Sequence, residues 1–192
     1  MKKIKVIGII LLVISLGLVI YKEFINPPVN IYTITNSGEK KKNVKVYLDA
    51  TFVAGTIEGN DNDSFYVMFG DGVQYIVHIN NKKASKINRY LLDNPESSYK
   101  IKGTTKLIPE TMIEKGKKFV KEWLDNNHNH EGIVEEGHTH DITTDDFYHY
   151  FGYVYLEETS FDIINLIVYI TGILGLVIVL YSINVKYHFI GD

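Results

Sequence analysis

Cysteine is absent from the 192 residues, arginine occurs once, as Arg89, against nineteen lysines, and tryptophan occurs once, as Trp123. The lack of cysteine excludes disulfides, thiolate metal sites and a cysteine nucleophile. The lysine bias, with abundant Ile, Asn and Tyr, points to an AT-rich genome and hence a low-GC bacterium as the source. No alanine precedes Ala50, so no small-x-small cleavage site follows the N-terminal apolar run, and that run reads as an uncleaved anchor. Also missing are a Gly-x-Ser-x-Gly elbow, a phosphate-binding Gly-x-x-x-x-Gly-Lys, a His-Glu-x-x-His pair and a dinucleotide fingerprint. The main hydrolase, kinase and dehydrogenase signatures are thereby missing, and the expectation is a protein without enzymatic activity.

Two long apolar runs are present. Val6 to Tyr21 is sixteen residues without a charge, preceded by Lys2, Lys3 and Lys5; a second run, Ile163 to Tyr181, follows the acidic Glu157, Glu158 and Asp162. Each is near the length that crosses a hydrocarbon core of about 30 Å as a helix. Basic flanks stay in the cytoplasm, and no Lys or Arg lies between Lys121 and Lys186. The expected layout is a cytoplasmic N-terminus (1–5), a first span (6–22), a linker (23–43), an extracytoplasmic domain (44–160), a second span (161–183) and a cytoplasmic tail (184–192). The lipid bilayer is then the first partner. Thr171, Gly172 and Gly175 form a small-residue patch suited to close helix contact, either with Gly8 or Gly17 of the first span or with another copy of the chain.

Between the runs, Pro27-Pro28 ends the first helix, and 30–43 reads as a linker or first hairpin containing Lys40-Lys41-Lys42. Val44 to Ile57 reads as one long strand with a shift at Asp49-Ala50; Phe65 to Phe69 and Val73 to Ile79, joined by Gly70-Asp71-Gly72, complete an antiparallel meander. Ala84, Ile87 and Leu91 predict a short amphipathic helix, Tyr99 to Ile108 a strand, and the segment from Glu110 a second helix with Met112, Ile113, Phe119, Val120, Trp123 and Leu124 on one face. Phe147 to Leu156 reads as a closing strand. This order gives an α+β class: two transmembrane helices flanking a small antiparallel β-barrel-like, OB-like domain with two helices. A PH-like barrel or a general α+β sheet would give a similar string.

At Tyr47-Leu48-Asp49, Tyr75-Ile76-Val77 and Ile101-Lys102-Gly103-Thr104-Thr105-Lys106-Leu107-Ile108-Pro109 the chain resembles an uncharacterised family of two-span membrane proteins of Gram-positive bacteria with a β-rich extracytoplasmic domain. The resemblance implies the layout and carries no functional residues.

The chemically loaded stretch is 125–146, with His128, His130, His138 and His140, seven acidic residues and no Lys or Arg. In extended backbone the i and i+2 imidazoles of each His-x-His pair project to one side, a donor set that would suit zinc or copper with carboxylates completing the shell. A mobile polar loop without a metal is the competing reading, and pH sensing by histidines beside carboxylates a third. His78 reads as packed or rim-exposed rather than catalytic. Residues 30–124 hold fifteen basic against eleven acidic side chains, and 125–160 none against nine. No aromatic-basic platform for nucleic acid is evident. The functional expectation is a membrane-anchored extracytoplasmic binding or scaffold protein, whose partner is another membrane or envelope protein or a second copy of the chain; divalent-metal binding through the histidine loop is the alternative.

Overall fold

The computed structural model describes residues 2–128, 141–159 and 163–188, and the chain divides into two compact units. The first comprises the two apolar ends. Helix α1 (Lys2–Ile20) continues into a π turn (Tyr21–Ile25), and α6 (Ile163–His188) is the other long helix. Both are aliphatic all round, which an α-helix tolerates because its backbone polar groups are satisfied internally. They pack through small residues: a Cβ on Gly175 would lie 2.9 Å from the Gly8 carbonyl oxygen, and one on Gly172 would lie 3.0 Å from Ser15 Oγ. Ser15 Oγ also donates to the Val168 carbonyl at 3.0 Å. Gly172 and Gly175 therefore face α1, with Gly8 and not Gly17 as the counterpart, since nothing lies within 4 Å of a Cβ on Gly17. Thr171 turns its hydroxyl back to the Ile167 carbonyl of its own helix at 2.7 Å. The aliphatic side chains on the remaining surface, among them Val13, Leu16 and Ile173, are exposed.

The second unit, 28–159, is α+β around a seven-stranded mixed sheet. Its elements in order are β1 (Val29–Asn30), α2 (Ile31–Asn36), β2 (Lys45–Ala50), β3 (Phe52–Gly59), β4 (Asp63–Gly70), β5 (Val73–Asn80), α3 (Asn81–Asp93), β6 (Tyr99–Leu107), α4 (Glu110–His128), α5 (Thr144–Phe151) and β7 (Val154–Glu158). The order across the sheet is β1-β2-β6-β7-β5-β4-β3. Because β2 and β3 are one stretch bent at Thr51, the same chain segment stands near one end of that order and at the other. The sheet curls so that Thr51 N–H donates to the Phe69 carbonyl at 2.8 Å, and a Cβ on Gly70 would lie 2.7 Å from the Asp49 carbonyl oxygen. Register shifts after Val53 and Thr56 add the bulges such curvature requires.

The β3-β4-β5 meander follows the sequence reading. Asp71-Gly72, with φ of 53° and 74°, forms a two-residue reversal between Gly70 and Val73, the left-handed pair whose twist suits a hairpin. Three expectations need correction. The sheet is not purely antiparallel: β1 pairs with β2, and β5 with β7, in parallel, because α3, β6, α4 and α5 all intervene before the chain returns beside β5. Within 30–43 the structure has a helix rather than a hairpin: Asn30 Oδ1 accepts from Tyr32 N–H at 2.9 Å, and α2 buries Ile31 and Ile34 in the core. And 147–156 is not one strand. Thr143 and Asp146 form a reciprocal capping box, α5 runs to Phe151, and Gly152 at φ 68° stops it before β7.

Alternation along the strands builds two cores. Inside the curl lie Val46, Leu48, Met68, Val77, Ile101 and Leu156, closed off by Ala84, Ile87 and Leu91 of α3. On the opposite pleat of β4 and β5, Val67 and Ile76 pack under Met112 and Val120 of α4 and Phe147 and Phe151 of α5. Close approach of these layers depends on two glycines: a Cβ on Gly116 would meet the Phe147 ring at 2.2 Å, and one on Gly55 would meet the Phe119 ring at 3.0 Å.

Candidate functional site

His130, His138 and His140 lie outside the described residues, so the histidine loop falls largely outside them; His128 is the last residue of α4. Among the described residues no group of three or more His, Asp or Glu is gathered to hold a metal. The two helices that bound the segment pack on each other through Gly116 and Phe147. On its far side, Asp146 accepts from both the Thr143 hydroxyl (2.6 Å) and the Thr143 N–H (2.9 Å). These two bonds hold its carboxyl below the usual carboxylate range.

The chemically richest grouping on the curled sheet comes from β5, β7 and β4. His78 and Glu157 are register partners across the parallel ladder, and His78 Nδ1 lies 2.9 Å from Glu157 Oε1. The Phe65 ring stacks on His78 with centroids 4.3 Å apart and meets the edge of Tyr155 at 5.2 Å. Burial first, and then the charge and hydrogen bond of Glu157, push the Tyr155 phenol up to about 12. One carboxylate thus faces both an imidazole and a phenol, and the phenol stays protonated beside it. His78 is partly exposed and ring-stacked, in line with its packed or rim-exposed reading. Its partner was hidden from sequence reasoning because 79 positions separate them.

One position along, Lys83 of α3 is paired with Glu158 of β7, whose side chain is only 4 % exposed. This pair, buried on its Glu158 side only, also lacks a local sequence signal. Inside the curl, the Tyr75 hydroxyl is buried without a hydrogen-bond partner among the described residues; neighbouring Thr35 commits its own hydroxyl to the Ile31 and Tyr32 carbonyls at 3.2 Å. Burial first and the Asp71 carboxylate second, outweighing the opposing influence of Thr35, raise the Tyr75 phenol to about 12.

A phenol held above its ordinary value favours the fold while it is protonated, and that contribution is lost as pH rises from 10 through 12. Tyr75→Phe removes both the unpaired hydroxyl and this liability. The expected outcome in urea unfolding is a stability at pH 8 equal to the parent or higher by up to ~1 kcal/mol, and a smaller decline between pH 10 and 12. A variant less stable than the parent at pH 8 would mean that the hydroxyl holds a bond the fold needs.

No family model, no curated protein and no solved structure matches the chain.

Proposed function

We propose that the chain is a two-span membrane protein whose β-rich domain lies outside the cytoplasm and serves as a non-enzymatic binding or scaffold module. The observation that carries the reading is the terminal pair of helices, each long and apolar enough to cross a bilayer, joined to each other through Gly8, Ser15, Gly172 and Gly175 while their other aliphatic side chains stay exposed. Small-residue contact between helices that otherwise present aliphatic surface is the arrangement lipid favours. Orientation rests on the lysines before Val6 and their absence between Lys121 and Lys186.

An OB-type barrel is the domain reading that the topology supports. With β2 and β3 counted as one bent strand, five principal strands curl into a Greek-key sheet, and α3 lies between the third and the fourth. OB barrels take oligonucleotides or oligosaccharides on the face of their second and third strands. Here those are β4 and β5, and their outer pleat is buried under α4 and α5. The module therefore uses another surface, which favours a partner protein or an envelope component over nucleic acid.

Membranes are the place to test this. The chain should resist alkaline carbonate extraction, and a cysteine introduced at the exposed Asp61 or Lys118, unique because the chain has none of its own, should react in intact cells with a membrane-impermeant maleimide. Extraction into the soluble fraction, or labelling only after permeabilisation, overturns the reading.

Divalent-metal binding through His128, His130, His138 and His140 is the second reading, favoured by four imidazoles within thirteen positions of an acidic segment. It predicts zinc or copper binding by the full chain in detergent that is lost when the four histidines are replaced by asparagine. Binding unchanged in that variant, or no binding in the parent, removes it.

A further inference from the structure

The outer pleat of β2 and β6 is covered by no helix in the two cores and is strongly basic. Lys45, Lys100, Lys102 and Lys106 project from it together with Tyr47, which stands opposite Lys102 in the register. Lys100 Nζ sits 4.3 Å from the centre of the Tyr47 ring, and Lys106 Nζ donates to Asn43 Oδ1 at 2.9 Å. The Lys41 carbonyl accepts from Thr105 Oγ1 at 2.7 Å, which brings the run Lys40–Lys42 to the same end of the two strands. Against these seven lysines stand Glu39, paired with Lys41, and Asp49, 3.7 Å from Lys100. The next carboxylate across the sheet, Glu157, is engaged by His78 and Tyr155. Lys45 and Lys102 have no ion-pair partner among the described residues. Same-side lysines on one strand lie about 7 Å apart, so the face repels itself until an anionic surface neutralises it.

Both chain tethers leave from the strands beside these two, β1 next to β2 and β7 next to β6. Thr159 N–H donates to the Lys102 carbonyl at 3.2 Å and stands four positions before Ile163, where α6 begins. Val29, paired with Val46, stands four positions after Ile25, where the N-terminal helix ends. Four residues reach at most about 14 Å, a distance comparable with a lysine side chain plus a Debye length of about 8–10 Å. Tethers this short let the face reach a lipid surface at the helix ends, at the high effective concentration a short tether imposes.

We propose that the β2–β6 face docks on anionic phospholipid headgroups, with Lys45, Lys100, Lys102 and Lys106 meeting lipid phosphates and Tyr47 lying at the interface. This rests on the membrane-spanning reading above, and it assigns that module a second, electrostatic contact with the bilayer.

The full chain, reconstituted in nanodiscs of phosphatidylcholine alone or mixed with phosphatidylglycerol, is treated with an amine-reactive reagent and mapped by mass spectrometry. Labelling of Lys100, Lys102 and Lys106 should slow about fivefold in the anionic discs and recover at high salt, while Lys118, exposed on α4, is unaffected. Equal rates in the two compositions, or an equal fall at Lys118, overturn the proposal. So does equal protection in phosphatidylcholine discs by soluble polyphosphate, which would assign the face to a free anionic polymer. Failure to incorporate into either disc defeats the spanning reading and this inference with it; incorporation without a composition effect defeats this inference alone.

Discussion

Phe147→Ala is expected to destabilise the domain by about 3–5 kcal/mol, the range for deleting a fully buried phenylalanine. The ring is entirely buried and lies where three elements converge: it fills the notch left by Gly116 on α4, packs on Phe151 one turn along α5 with centroids 5.1 Å apart, and covers Ile76 and Val67 of the sheet. Its removal leaves a cavity that neither helix can close alone, since Gly116 has no side chain to move into it. Urea unfolding of the full chain in detergent, followed through the lone Trp123 on α4, reads the loss directly. A change below about 1 kcal/mol would mean that α5 is not packed as described.

Phe147 also shows what the sequence could and could not disclose. Aromatics at 147, 151, 153 and 155 satisfy an alternating pattern, yet the 147 to 151 interval fits one helical turn equally well, so periodicity alone is ambiguous over so short a run. The deciding signal was Thr143 three residues before Asp146, a capping pair that is local and readable, but whose acid is shorter than the usual Glu or Gln. Where apolar spacing was unequivocal, as at Ala84, Ile87 and Leu91, or where Asp71-Gly72 fixed a reversal, the sequence reading and the structure agree. The apolar terminal helices were legible for the same reason: aliphatic runs of that length have few other interpretations. The β5–β7 pairing was not legible. Whether Val154 to Glu158 lies beside β4, β5 or β6 is decided by packing across the whole domain, and with it are decided the contacts of His78 with Glu157 and of Lys83 with Glu158, 79 and 75 positions apart. The basic face is intermediate: Lys100, Lys102 and Lys106 visibly alternate, but only the register with β2 adds Lys45 and Tyr47 to them.

Lys83→Ala is expected to cost about 3 kcal/mol, the lower end of the range for stranding one member of a buried ion pair. The lower end applies because the Lys83 side chain is 39 % exposed and the pair is not wholly desolvated, whereas Glu158 at 4 % cannot turn to water once its partner is gone. Burial makes the two substitutions unequal. Glu158→Gln leaves a neutral amide in the same space and a lysine that can reach solvent, so its cost should be smaller. In the double variant the stranded charge is absent, and most of the loss caused by Lys83→Ala should be recovered. Equal losses in Lys83→Ala and in the double variant would assign the effect to helix α3 itself. The pair matters beyond its energy because β7 is only five residues long, lies between β5 and β6, and ends at Glu158. In the proposed arrangement any pull from the second span enters the domain through that strand, and the Lys83 ammonium, reaching over from α3, ties its last residue to the helix that closes the core. Hydrogen exchange of the β7 amides in detergent should therefore accelerate in Lys83→Ala more than exchange in β3 and β4, and a uniform acceleration across the domain would argue against a local anchoring role.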